Sequence, residues 1–77
     1  MPIRHDRATP VYRQLANLLR KQIEAGELTA GLPVPSEGQL TGEHGISRDS
    51  VRKAMAVLRE EGLIVTVQGK GSFVAER

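Results

Sequence analysis

Apolar residues return along this chain with two different periods. Val11, Leu15, Leu18, Leu19 and Ile23 fall on one face of a helix, while Arg13, Arg20, Lys21 and Glu24 lie mostly off it. Thr9 is placed to cap that helix, Pro10 suits its first position, where a missing N–H costs nothing, and Gly26 ends it. Gly31, Pro33 and Pro35 then forbid a helix and leave room for a short extended piece near Val34. A second helix is expected from Ser36, which forms a capping-box pattern with Gln39, to about His44. Only Leu40 is strongly apolar in it, so packing must hold it in place.

Gly45 can take the left-handed conformation that ends this second helix, and Ser47 can cap the next. Two helices therefore meet through a very short turn. In the third helix, expected from Ser47 or Arg48 to Glu61 and stopped by Gly62, Val51, Ala54, Met55 and Leu58 mark the buried face. At about 100° per residue, Asp49, Arg52, Lys53 and Ala56 point away from it, with Arg48, Ser50 and Arg59 on its flanks. The period then becomes that of a strand. Leu63 to Val67 and Ser72 to Ala75 form two apolar runs around the turn Gln68-Gly69-Lys70-Gly71, which is a β-hairpin. The order of elements predicts an α+β winged helix-turn-helix, three helices with a small antiparallel hairpin wing. Residues 1–8 read as a flexible lead-in and residues 9–77 as the domain.

Composition narrows the function classes. Seventy-seven residues allow one domain, with a core too small for a buried catalytic cleft and its supporting shell. Hydrophobic residues make up 39% and charged residues 26%, as in ordinary globular sequences. Tyr12 and Phe73 are the only aromatic residues, which argues against single-stranded nucleic acid as the main target. The net charge of +2 gives a weak overall field, so the cluster of three cations from Arg48 to Lys53 matters more than the sum. The absence of cysteine removes disulfides, thiol catalysis and cysteine-ligated zinc. No long apolar run or signal-peptide pattern is present, and the expectation is a soluble protein of the cytoplasm. His5 and His44 lack partners at metal-ligand or catalytic spacing and read as surface residues, so no metal, cofactor or enzymatic role is expected.

Several spaced motifs go beyond the fold. Pro10-Val11-Tyr12, Gly26-Glu27-Leu28, Pro35-Ser36-Glu37, Gly45-Ile46-Ser47-Arg48, Val51-Arg52-Lys53-Ala54, Glu61-Gly62-Leu63-Ile64 and Gln68-Gly69-Lys70-Gly71-Ser72-Phe73-Val74 occur in sequence. Together they resemble the N-terminal DNA-binding domain of GntR-family bacterial transcription regulators, with the flavour of the HutC-like subgroup, over roughly residues 9 to 75. The resemblance implies a cytoplasmic regulator that binds a palindromic operator in double-stranded DNA as a homodimer, and a C-terminal effector-binding domain beyond these residues. It implies that Arg48 and Arg52 contact guanine edges and phosphates, that Ser50 meets the backbone, that Ser36 and Ser47 cap helices near phosphates, and that Gln68 and Gly69 reach the minor groove. Two positions depart from the pattern. Gly38 stands where many members carry an arginine, and Asp49 puts an anion at the start of the third helix, where the helix dipole accepts it and phosphates would not.

Chemistry assigns the cations separately. A guanidinium fork matches guanine O6 and N7, which suits Arg48 and Arg52; Lys53 and Lys70 are point charges suited to phosphates. Gly69 and Gly71 make a narrow, bare-backboned tip around Lys70 that fits a minor groove. A nucleotide-binding loop there lacks both the full spacing and the following helix. The same sequence also admits a solvated amphipathic third helix, and a winged-helix protein-interaction module; the latter would more often expose apolar anchors where Arg48 to Lys53 stand. Glu60 and Glu61 read as a solvent-facing pair.

Overall fold

In the computed structural model, which describes residue 3 and residues 8–76, the chain forms α1 (Val11–Glu24), α2 (Glu37–His44), α3 (Arg48–Glu60), β1 (Ile64–Val67) and β2 (Gly71–Val74). Most of the expected lead-in, and His5 with it, lies outside the described residues. Ile3 packs against the core at its margin.

The first helix begins one residue later than the sequence suggests. Pro10 rather than Thr9 takes the N-cap, with an extended backbone at φ −56° and ψ 146° and no side-chain cap. Gln14 Nε2 instead donates to the Thr9 carbonyl at 2.9 Å, so a side chain from inside the helix ties down the residue expected to cap it. α1 buries Leu15, Ala16 and Leu19; Leu18 is only half-buried, and the small Ala16 takes a core position that hydrophobic spacing alone does not mark.

The second and third helices start as their sequences dictate. Ser36 Oγ accepts from the Gln39 amide at 3.1 Å while Gln39 Oε1 accepts from the Ser36 amide at 3.0 Å, which closes the capping box. Leu40 is the buried residue of α2. At Gly45 the backbone turns left-handed, φ 63°, a conformation costly for a residue with a Cβ. Two residues later Ser47 Oγ accepts from the Ser50 amide at 3.1 Å and opens α3. Val51, Ala54, Met55 and Leu58 are all buried, as their spacing predicts. Replacing Ser47 with alanine removes a cap worth about 1 kcal/mol. The melting temperature followed by circular dichroism should fall by roughly 4–8 °C, and an unchanged value would show that the cap carries no weight.

The wing pairs Ile64 with Val74, Val65 with Phe73, Thr66 with Ser72 and Val67 with Gly71, antiparallel. β1 starts one residue later than expected and ends at Val67 as expected, while β2 is shifted by one residue at both ends. Leu63 lies before β1 and turns into the core, Gly71 belongs to β2 and not to the turn, and Ala75 lies beyond β2 while its amide still donates to the Leu63 carbonyl at 2.9 Å. The extended piece near Val34 runs along the free edge of β2: Pro33 bridges Phe73, and the Val34 amide donates to the Ser72 carbonyl at 3.0 Å. Proline is tolerated here because this piece is an edge. Leu15, Leu19, Leu40, Leu58, Ile64 and Val51 form the centre of the core, with α1 and β1 packed on α3.

Glu61 is exposed, as expected, but it is held in an ion pair that the sequence does not announce. Arg20 Nε and Nη2 donate to the two carboxylate oxygens of Glu61, each at 2.7 Å, and Nη1 donates to Asn17 Oδ1 at 2.6 Å. Packing of α1 on α3 brings these residues together across 41 positions, so no local pattern announces the pair. The hydrogen bonds from Arg20 hold the Glu61 carboxyl below the ordinary value of 4.5, outweighing an opposing desolvation, and the charge of Arg20 adds to them. A lowered carboxylate stabilises the fold above that ordinary value and loses the contribution as pH falls through the lowered one. Glu61→Gln should therefore flatten the acid side of the stability profile from about pH 4.5 downward, as measured by urea midpoints across pH; a profile parallel to wild type would contradict the pairing.

Candidate nucleic-acid interface

The two helix starts at Ser36 and Ser47 place their following side chains on one side of the molecule. Arg48 and Arg52 stand on the exposed side of α3, with side chains 74% and 69% accessible. Glu37, the first residue of α2, reaches between them: its Oε2 is 3.2 Å from Arg52 Nε and its Oε1 3.7 Å from Arg48 Nε. Exposed pairs of this kind are worth about 0–1 kcal/mol, so the arginines can exchange this carboxylate for other partners at little cost. Lys53 Nζ lies 3.2 Å from Asp49 Oδ2, one helical turn back. Asp49 thus has a structural account in the first turn of α3, where it meets both the helix dipole and a lysine.

The serines are engaged at the helix starts. Ser47 Oγ also donates to Ser50 Oγ at 3.1 Å, which leaves the Ser50 proton to donate outward. Gly38 lies beside them on the first turn of α2, and a Cβ there would meet only Ser36 Oγ, 4.0 Å away. Packing does not require glycine at 38, so the departure from the expected arginine is one of charge.

Across from α3 stands the wing. Gln68, Gly69 and Lys70 are exposed in its turn, closed by the Lys70 amide donating to the Val67 carbonyl at 3.0 Å. Gly69 and Gly71 have φ of 80° and 108°, while a Cβ on either would meet nothing within 4 Å. Backbone conformation, not crowding, calls for glycine there. A groove of about 500 Å³ runs between the start of α2 at Ser36 and Glu37, the α3 residues Arg52 and Arg59, and the wing at Lys70 and Ser72. Of the residues singled out from sequence, Ser36, Arg52, Lys70 and Gly71 line this groove. Ser47 at the N-cap of α3, Arg48, Ser50 and Lys53 on α3, and Gln68 and Gly69 at the wing's tip lie outside its walls.

Sequence reasoning missed Glu37 as the common partner of the two arginines, and it left Arg59 as a mere flanking cation although Arg59 Nη1 donates to Thr66 Oγ1 at 2.8 Å. The place of Glu37 beside the capping residue Ser36 and in the motif Pro35-Ser36-Glu37 did not announce these contacts, since its partners are 11 and 15 residues away. His44 differs from expectation as well. Its side chain is 17% accessible, so it is largely covered rather than superficial, with Nε2 3.9 Å from Glu43 Oε2. Among the described residues, no group of three or more His, Cys, Asp or Glu is placed to hold a metal ion, and no helix is long and apolar enough to cross a membrane.

Comparison with known proteins agrees with this fold. Residues 11–74 match the model of the family described as "Bacterial regulatory proteins, gntR family". The chain is 43% identical over 67 residues to the mannosyl-D-glycerate transport/metabolism system repressor MngR of Escherichia coli (strain K12), covering 87% of this chain and 28% of the relative. It is 40% identical over 76 residues to the HTH-type transcriptional repressor NagR of Bacillus subtilis (strain 168), covering 99% of this chain and 31% of the relative. The chain thus spans less than a third of the length of these relatives. Among solved structures, the DNA-binding domain of AraR in complex with operator ORR3 superposes with a TM-score of 0.85 at 33% identity, over 97% of this chain and 90% of that one.

Proposed function

This chain belongs to the GntR family of bacterial regulatory proteins, which are transcription regulators and not enzymes, and from that premise we propose that it binds a specific sequence in double-stranded DNA. The observation that carries the proposal is a capped third helix with two exposed arginines, of which Arg52 lines a groove that the glycine-turned wing closes on its other side. A helix of this kind fits the major groove and a bare hairpin tip fits the minor groove. Arg48 and Arg52 contact guanine edges, exchanging Glu37 for base acceptors. Ser36, Ser47, Ser50, Lys53 and Lys70 meet phosphates and set the register, while Gln68, Gly69 and Gly71 bring the wing's backbone to the minor groove. The operator is palindromic and bound by two copies, which pair on adjacent half-sites or through a further domain of the kind that longer relatives have room for. The site of action is the bacterial cytoplasm.

Selection of duplexes from a random library tests this proposal. Enrichment of a site with two inverted halves about one helical turn apart is expected; recovery of no consensus would overturn it. On the selected site, Lys70→Ala should lower the slope of log affinity against log salt by about one while leaving base preference intact. An unchanged slope would remove Lys70 from the phosphate contacts.

A further inference from the structure

Arg59 stands in the last turn of α3, and its contact with the wing continues further than one bond. Thr66 Oγ1, which accepts from Arg59 Nη1 at 2.8 Å, is 3.0 Å from Ser72 Oγ, its cross-strand partner. Because Thr66 receives the guanidinium proton on a lone pair, its own hydroxyl proton can pass to Ser72. The hydrogen bonds then run in one direction, from α3 through β1 to β2. Ser72 in turn accepts at its carbonyl from the Val34 amide, so the edge piece is drawn in too.

The position of this bracket along the hairpin is what gives it a role. Ile64 and Val74, the pair at the root of the wing, are buried in the core. Two residues further out, on the same face by strand alternation, Thr66 and Ser72 replace core packing with this polar link. Beyond them Val67, Gln68, Gly69 and Lys70 are exposed. A two-stranded hairpin is marginal in water by itself, and a charge-assisted donor to Thr66 on β1, which is in turn linked to Ser72 on β2, stiffens it where packing ends.

We infer that Arg59 is a positioning residue that sets the angle and rigidity of the wing relative to the third helix. The inference rests on the DNA-binding reading above, since the angle matters because helix and wing must enter neighbouring grooves together. The rival role is direct: Arg59 lines the same groove as Arg52 and Lys70 and could hold a phosphate itself. Thr66→Val separates the two, because it removes the acceptor and changes no charge.

The test begins on the protein without DNA, with amide order parameters and residual dipolar couplings for wild type, Arg59→Ala, Thr66→Val and Thr66→Ser. Arg59→Ala and Thr66→Val should both lower the order parameters of residues 67–71 from about 0.85 toward 0.6 and rotate the hairpin against α3, with the core signals unchanged; Thr66→Ser should restore both. On the selected operator, both should weaken binding about three- to tenfold and lose the wing's minor-groove footprint, and Thr66→Val should keep the wild-type salt slope. A Thr66→Val wing that stays as ordered as wild type, or a salt slope lowered by Arg59→Ala alone with the footprint retained, overturns the inference. If wild type selects no sequence, the DNA-binding reading fails, and the order parameters still decide whether Arg59 holds the wing.

Discussion

Arg52→Ala should bind the selected operator about 5- to 150-fold more weakly than wild type, with base preference relaxed at one position in each half-site. That range corresponds to about 1–3 kcal/mol for one bidentate arginine–guanine contact. The variant should remain folded. Arg52 contributes to the free protein through an exposed contact with Glu37, and surface substitutions away from caps and core stay within about 0.5 kcal/mol. Part of the loss has a second source, since Glu37 is left with only the longer contact to Arg48 while facing incoming phosphates. A gel-shift titration beside a thermal melt separates lost recognition from lost folding; an unaltered affinity would remove Arg52 from the base contacts.

The opposite signature is expected at Leu58. This residue is fully buried on α3, in the helix that carries both the packing of α1 and that of β1. Truncation to alanine should cost about 2–5 kcal/mol, from lost burial and from a cavity that the surrounding helices only partly close. A chain of this size has a total of roughly 4–12 kcal/mol, so the melting temperature should drop by at least about 8 °C. DNA binding should fall in proportion to the unfolded fraction and recover with cooling. A Leu58→Ala protein that melts within about 2 °C of wild type would mean that α3 is not packed as described.

The contrast between these two residues also shows how far the sequence can be read. Val51, Ala54, Met55 and Leu58 were legible because burial of a helix face follows its own period, and Ser36, Gln39 and Ser47 because a cap bonds within three residues. Gly45 was legible from its place between two such helices. The wing was found with the end of β1 correct and its start and both ends of β2 one residue off, since strand ends depend on which residues pair and not on local apolar character. Thr9 failed as a cap because the helix starts one residue later, with Pro10 at the N-cap.

Charged side chains were legible only as belonging to an exposed face. Arg20 with Glu61, Glu37 with Arg52, and Arg59 with Thr66 are separated by 41, 15 and 7 residues, and each pair exists because whole elements pack together. Asp49 with Lys53 is the local exception, at helical spacing. The family motifs marked which exposed residues to propose for recognition, and the structure adds what those residues hold in the free protein.

The central claim is that the third helix reads guanine edges through Arg48 and Arg52, and a double-mutant cycle across the interface tests it directly. Each guanine of the selected half-site is replaced in turn by 7-deazaguanine, which lacks the N7 acceptor, and affinity is measured for wild type, Arg48→Ala and Arg52→Ala. One guanine should weaken wild-type binding about tenfold and have no further effect on the variant that has already lost its partner. Losses that add independently at every guanine, for both arginines, would contradict the account.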